Sequence, residues 1–193
     1  LAVRVILPPP KAAICGAFRA ARPKARQAEP MLPGAPMQKH ALHKSSWPHA
    51  RCLDGSHAAY YARLALAHSS APRSWVIQLG GGGQCWDRDS CQEVKKTYYG
   101  SSAAWSETYD GNTFVSADRK LSPFADWNHV FVPHCGSDQH LGTAGYVHEW
   151  DAVFSGRHIV DAVIGDLSAR HGLQKADVLL FAGLSAGGIA VNN

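Results

Sequence analysis

Val178-Leu179-Leu180-Phe181-Ala182-Gly183-Leu184-Ser185-Ala186-Gly187-Gly188 is the stretch that decides the fold class of this chain. Five uninterrupted apolar residues, Val178 to Ala182, read as a strand buried on both faces, the kind found in parallel sheets. Directly behind them stands the pattern G-x-S-x-G, Gly183 to Gly187. A serine at a sharp strand-to-helix turn sits in a strained backbone, so the residues two either side must be small. Gly183 and Gly187 meet that need, and Ala186 and Gly188 keep the surroundings clear. A helix starting after Ser185 would aim its N–H groups and positive dipole end at developing negative charge. The pattern alone is common, but its place behind a buried strand makes Ser185 the candidate nucleophile.

Upstream, Trp75-Val76-Ile77-Gln78-Leu79 is a second buried strand, and it ends at Gly80-Gly81-Gly82-Gly83. Four glycines can form a flexible turn with residues at positive φ. No Gly-Lys-Ser/Thr follows, which excludes a phosphate loop, and Cys85 stands where G-x-G-x-x-G needs glycine. The remaining functional reading is an oxyanion loop, in which bare backbone N–H groups approach a substrate carbonyl. A third run, His129-Val130-Phe131-Val132-Pro133, follows the turn-like Asp126-Trp127-Asn128. Ile159, Val160, Val163, Ile164 and Leu167 then recur at helical spacing, with Gly172 placed as a C-cap. Strand, helix, strand is the crossover unit of an α/β protein, so a mostly parallel sheet with flanking helices is expected. The polar segment from Ser101 to Ser122 reads as a long irregular connection.

The chain has 193 residues, 46% of them hydrophobic and 18% charged, with six Trp. One ordinary domain with a sizeable core fits these figures; a disordered chain, a collagen-like repeat and a coiled coil do not. No apolar run approaches the roughly 18 residues of a membrane-spanning helix, so no membrane span is expected. Residues 1–46 carry a net charge of +7, whereas residues 47–193 carry −3. The globular part is slightly acidic and offers no nucleic-acid footprint. Residues 1–46, rich in Ala, Pro and Arg, read as a disordered or transit-like leader, and the domain is expected to span 47–193. A wrongly assigned extension explains the leader equally well. Cys15 lies in it; Cys52, Cys85, Cys91 and Cys135 lie in the globular part. No CxxC pair or zinc-finger spacing occurs, so no metal and no cofactor is expected. Cys85 and Cys91 flank Asp87-Arg88-Asp89-Ser90, a polar turn whose length suits a disulfide, although ordinary buried thiols fit too.

WVIQLGGGGQCWDRDSC, DWNHVFVPHCGSDQHLG and LLFAGLSAGG resemble three signature blocks of the pectin acetylesterase/Notum family, and RCLDGSHAAYYAR resembles its amino-terminal block. The blocks stand in family order from about Arg51 to Asn193. The resemblance implies an α/β-hydrolase-like fold with Ser185 as nucleophile. It implies an oxyanion hole from the backbone N–H of Ala186, Gly82 and Gly83. It also implies disulfides Cys85–Cys91 and Cys52–Cys135, and with them a secreted or cell-wall setting. The sequence departs from the family at Gly80, where the family has Glu, and near Gly83 and Gln84, where it has an aromatic residue. Loss of the acid removes a support for the loop. In the Ser137-Asp138 pair, structural roles are expected.

In this fold the triad runs Ser, Asp/Glu, His along the chain. Neither an acid nor a His follows Ser185 in the eight residues to Asn193, and Leu1 is not Met, so a carboxyl-terminally truncated and inactive fragment is expected. The strand before Ser185 should then lie with one edge open. His134 and His140 could approach the site mouth, but hydrogen-bonded structural histidines are the expectation for both. The main functional expectation is a carboxylesterase removing acetyl esters from a polysaccharide such as pectin. The alternatives are a Notum-like deacylase of a lipid-modified protein and a catalytically silent binding chain.

Overall fold

The computed structural model describes residues 1–6, 34–66 and 68–193. Most of the expected disordered leader, with Cys15, falls in 7–33, outside the described residues. In chain order the elements are β1 (Ala2–Ile6), β2 (Met37–Ala41), β3 (Ala59–Arg63), β4 (Ser74–Leu79), α1 (Arg88–Lys95), β5 (Thr108–Tyr109), β6 (Asn128–Val132), β7 (Gly145–Val147), β8 (Ala152–Phe154), α2 (Gly156–His171), β9 (Val178–Gly183) and α3 (Ala186–Asn192). Seven strands form one sheet in the order β1-β9-β4-β6-β3-β2-β5, and β7 pairs with β8 apart from it.

The α/β class stands, but the expected mostly parallel sheet does not. Among the described residues, only β4 with β6 and β4 with β9 pair in parallel. The pairs β1–β9, β2–β3, β2–β5 and β3–β6 are antiparallel. A parallel pair needs a long crossover, and the chain provides two, one through α1 and one through α2. The three parallel strands are the three apolar runs that a sequence reader can see. The antiparallel strands are less conspicuous: β2 reads Met37-Gln38-Lys39-His40-Ala41, with polar residues through its middle. The sheet also draws β1 and β2 from residues 1–46. β1 runs along β9 from Ala2 opposite Gly183 to Ile6 opposite Leu179, so the edge expected to lie open is covered.

Strands β3, β4 and β6 are buried along almost their whole length. Ile159, Ala162, Val163 and Leu167 of α2 join the same core as Trp75, Ile77, Val130 and Leu180. Tyr60 in β3 donates its hydroxyl to Asp166 of α2 at 2.7 Å, tying sheet to helix. α2 ends at Gly172, whose φ of 77° is the left-handed conformation expected of a C-cap. The polar turn read between Cys85 and Cys91 is instead the start of α1. Asp87 caps it, accepting from the Ser90 N–H at 2.8 Å, while the Ser90 side chain accepts from the Asp87 N–H.

Parallel strands share a direction, so the loops leaving β4, β6 and β9 emerge at one end of the sheet. That end gathers Gly80–Gly83, Pro133–His140 and Leu184–Gly187. Sites of open α/β sheets lie at this end.

Candidate active site

Ser185 stands between β9 and α3 with φ 52° and ψ −119°, a strained conformation for a residue with a Cβ. The turn closes only because its neighbours are glycines. A Cβ on Gly183 would overlap the backbone of Gly187, and one on Gly187 would overlap the Leu79 carbonyl. This packing lifts the Ser185 side chain into an exposed position while Ala186 and Gly187 stay buried. This strand-to-helix turn has the backbone geometry that G-x-S-x-G calls for in a nucleophile elbow.

The glycine loop after β4 lies against that turn. A Cβ on Gly81 would stand 2.9 Å from the Leu184 carbonyl oxygen and 3.2 Å from the Ser185 Cβ. Gly82 is wedged between two rings: its Cβ would stand 2.6 Å from His134 Nδ1 and 2.8 Å from Tyr99 Cδ1. Gly83 also faces Tyr99. Among the described residues, the backbone N–H groups of Gly82, Gly83 and Ala186 have no protein acceptor. These unpaired N–H groups are therefore available to a ligand at this end of the sheet. Tyr99, which no motif in the sequence marked, belongs to this region together with Gly81 of the glycine run; the Tyr98-Tyr99-Gly100 cluster was the available signal for the tyrosine.

His134 and His140 sit beneath the loop, 1% and 2% exposed. His140 Nε2 hydrogen-bonds the Gly80 carbonyl at 2.9 Å, and His134 Nε2 accepts from the Gln139 N–H at 3.1 Å. Burial holds both rings well below the usual imidazole range, His134 to about 3, with the His140 charge adding to the effect, and His140 to about 4. Both are neutral near pH 7. Asp138 accepts from the Gly156 N–H at 2.7 Å and the His140 N–H at 3.2 Å, anchoring the Pro133–His140 loop to the start of α2. Burial raises its carboxyl to about 6, against the opposing pull of those backbone bonds.

Two disulfides brace the same end of the sheet. Cys52 bonds Cys135, with Cα atoms 4.9 Å apart, and Cys85 bonds Cys91, with Cα atoms 4.8 Å apart. Among the described residues no group of three His, Cys, Asp or Glu side chains could hold a metal ion, and no helix is long and apolar enough to cross a membrane.

A family model described as Pectinacetylesterase matches residues 33–192. The chain is 37% identical over 145 residues to the palmitoleoyl-protein carboxylesterase NOTUM of Homo sapiens, covering 72% of this chain and 28% of that protein. It is 34% identical over 145 residues to the NOTUM of Schmidtea mediterranea, covering 73% of this chain and 27% of that protein. It is 32% identical over 143 residues to pectin acetylesterase 7 of Arabidopsis thaliana, covering 73% of this chain and 36% of that protein. The chain thus spans about a third of the length of the curated relatives it matches. With a strained serine turn, a glycine loop set against it and these matches across its length, the chain belongs to the pectinacetylesterase/Notum family of α/β-hydrolase-fold esterases.

Proposed function

We propose that this chain works as, or within, a serine carboxylesterase whose nucleophile is Ser185. The observation that carries the reading is the elbow itself: Ser185 is held at φ 52° at the end of β9, with Gly81 packed on its Cβ side. Ser185 Oγ attacks the ester carbonyl, and the oxygen gains negative charge. The free N–H groups of Gly82, Gly83 and Ala186 meet that charge, the alcohol leaves, and water releases the acid from the acyl-enzyme. The proton on Ser185 Oγ needs a base. His134 and His140 are poor candidates, because burial keeps both from taking a proton near pH 7 and their Nε2 atoms are engaged elsewhere.

For the substrate, an acyl ester on a protein is the better supported reading. Its support is the similarity to proteins named palmitoleoyl-protein carboxylesterase, at 34–37% identity. Apolar groups stand exposed beside the elbow and the loop: Leu184 is 37% exposed and Trp86 75%. An acyl chain could lie on them. The second reading, an acetyl ester of a polysaccharide, is supported by the family description and the Arabidopsis relative. Two disulfides suit an oxidising, secretory compartment in either case.

The test compares hydrolysis of a palmitoleoyl-serine peptide, acetylated pectin and p-nitrophenyl acetate by the protein that contains this chain and by its Ser185→Ala variant. Faster turnover of the acylated peptide, lost in Ser185→Ala, is expected. Preference for acetylated pectin would select the second reading. Turnover that survives Ser185→Ala would remove the nucleophile assignment.

A further inference from the structure

A run of four glycines has more accessible conformations than any other four residues, yet an oxyanion loop must hold its N–H groups still before the substrate arrives. The chain fixes Gly80 from both sides of its backbone. Its N–H donates to the Val132 carbonyl at 2.8 Å, and its own carbonyl meets His140 Nε2 at 2.9 Å. A carbonyl can only accept, so His140 carries its proton on Nε2. His134 is the opposite tautomer. The Gln139 N–H can only donate to its Nε2, so the proton sits on Nδ1, which is buried, without a partner and turned to Gly82.

The segment that carries these rings is itself held under strain. Ser137, Gln139 and His140 all have positive φ, at 54°, 58° and 61°. Non-glycine residues keep such a conformation only where the surroundings impose it. Here Asp138 does so, bonded to the His140 N–H and to the Gly156 N–H. The outcome is a histidine delivered to one backbone carbonyl of the glycine loop. The Gly80–Gly81 peptide is trans, so fixing its C=O also fixes the Gly81 N–H on the opposite side of the plane.

We infer that His140 is a positioning residue for ester hydrolysis: its Nε2–H bond to the Gly80 carbonyl fixes the first peptide plane of the glycine run, and so limits the freedom with which the Gly82 and Gly83 N–H groups are presented to Ser185. His134 walls the loop at Gly82. This inference rests on the esterase reading above and adds to it the device that orders the loop.

The experiment uses the protein that contains this chain, as the parent, and three variants of it. His140→Gln keeps an N–H close to the position of Nε2, His140→Asn carries the same amide where it cannot reach Gly80, and His140→Leu removes it. With p-nitrophenyl acetate, kcat should fall about 10-fold or more in His140→Asn and His140→Leu, with KM within about twofold. His140→Gln should stay within about threefold of the parent. Backbone ¹⁵N relaxation gives a reading that does not need turnover. Order parameters at Gly81–Gly83 should drop from the rigid range near 0.85 towards 0.6 in His140→Asn and remain high in His140→Gln. Parent-like kcat and loop order in folded His140→Asn would overturn the inference, whether or not His140→Leu folds. So would equal loss in His140→Gln and His140→Asn. A parent chain with no Ser185-dependent turnover counts against the esterase reading instead, and loss of loop order in His140→Asn would still support the anchor.

Discussion

At the scale of single residues, the two glycines of the site differ in what surrounds them. The atoms that crowd Gly187 are backbone, the Leu79 carbonyl above all, and backbone cannot swing aside. Gly82 is crowded by the His134 and Tyr99 side chains; the exposed Tyr99 can swing aside, and the buried His134 ring can shift only slightly, but neither is fixed backbone. Gly187→Ala should therefore cost about 3 kcal/mol, the upper end for overpacking, and Gly82→Ala about 1 kcal/mol. Urea unfolding midpoints of the two variants check the order. Their kinetics should run the other way relative to stability, since Gly82→Ala displaces a proposed oxyanion donor in a chain that remains folded. Equal stability losses would mean the elbow has slack that its contacts do not suggest. Of these residues, Ser185 stands out in the sequence through G-x-S-x-G behind a buried strand, whereas Gly82, Gly83 and Ala186 were singled out only by the resemblance to the family. His140 was visible only as a residue after a strand. Its partner, the Gly80 carbonyl, lies 60 positions away, and no local pattern reports a contact at that distance.

At the scale of elements, what could be read was what repeats. Three apolar runs and one helical stripe gave β4, β6, β9 and α2; burial on both faces leaves the unbroken signature of β4 and β6, while β9 keeps an apolar run although Val178, Leu179 and Phe181 are only half-buried. The start of α1 was read as a turn, since Asp87 and Ser90 suit either a turn or a capping box until the residues behind them are seen to be helical. The disulfides show a further division between local and distant order. Cys85–Cys91 closes a separation of 6 residues and Cys52–Cys135 one of 83. If loop closure dominates, removing the first costs about 2 kcal/mol and removing the second about 4 kcal/mol. The double variants Cys85→Ala/Cys91→Ala and Cys52→Ala/Cys135→Ala, compared by urea unfolding, should show that order. A larger loss from the short bridge would mean that strain or local packing around α1, rather than chain entropy, sets its contribution.

At the scale of the whole molecule, strand direction escaped the sequence because it depends on how distant elements pair, and β1 and β2 lie in a stretch whose composition resembles a leader. Acid response is a second property that belongs to the fold as a whole. His129, His134 and His140 are almost fully buried, and burial holds them to about 4, about 3 and about 4. In the unfolded chain each would titrate near 6.5. Between these values the unfolded state binds three more protons at these sites, so their contribution to stability is full above about pH 6.5 and is lost as pH falls. Asp138 acts in the opposite sense. With its carboxyl raised to about 6, the folded chain already holds that proton at pH 5, and unfolding releases it. His40, also held to about 4 by burial, adds a fourth histidine of the same sign, so the balance near pH 5 is an uptake of about three protons on unfolding, or about 4 kcal/mol of stability lost per pH unit. Urea midpoints should accordingly fall steeply from pH 6.5 to 4.5, and a flat series would refute the burial argument. His140→Gln, which keeps the amide donor but cannot take up a proton, isolates one of these contributions. Its slope near pH 5 should be shallower by about 1.4 kcal/mol per pH unit, while its loop order and kcat at pH 7 stay close to those of the parent chain. An unchanged slope would mean that His140 already titrates alike in the folded and unfolded chains, which its burial opposes, outweighing the upward pull of its bond to the Gly80 carbonyl.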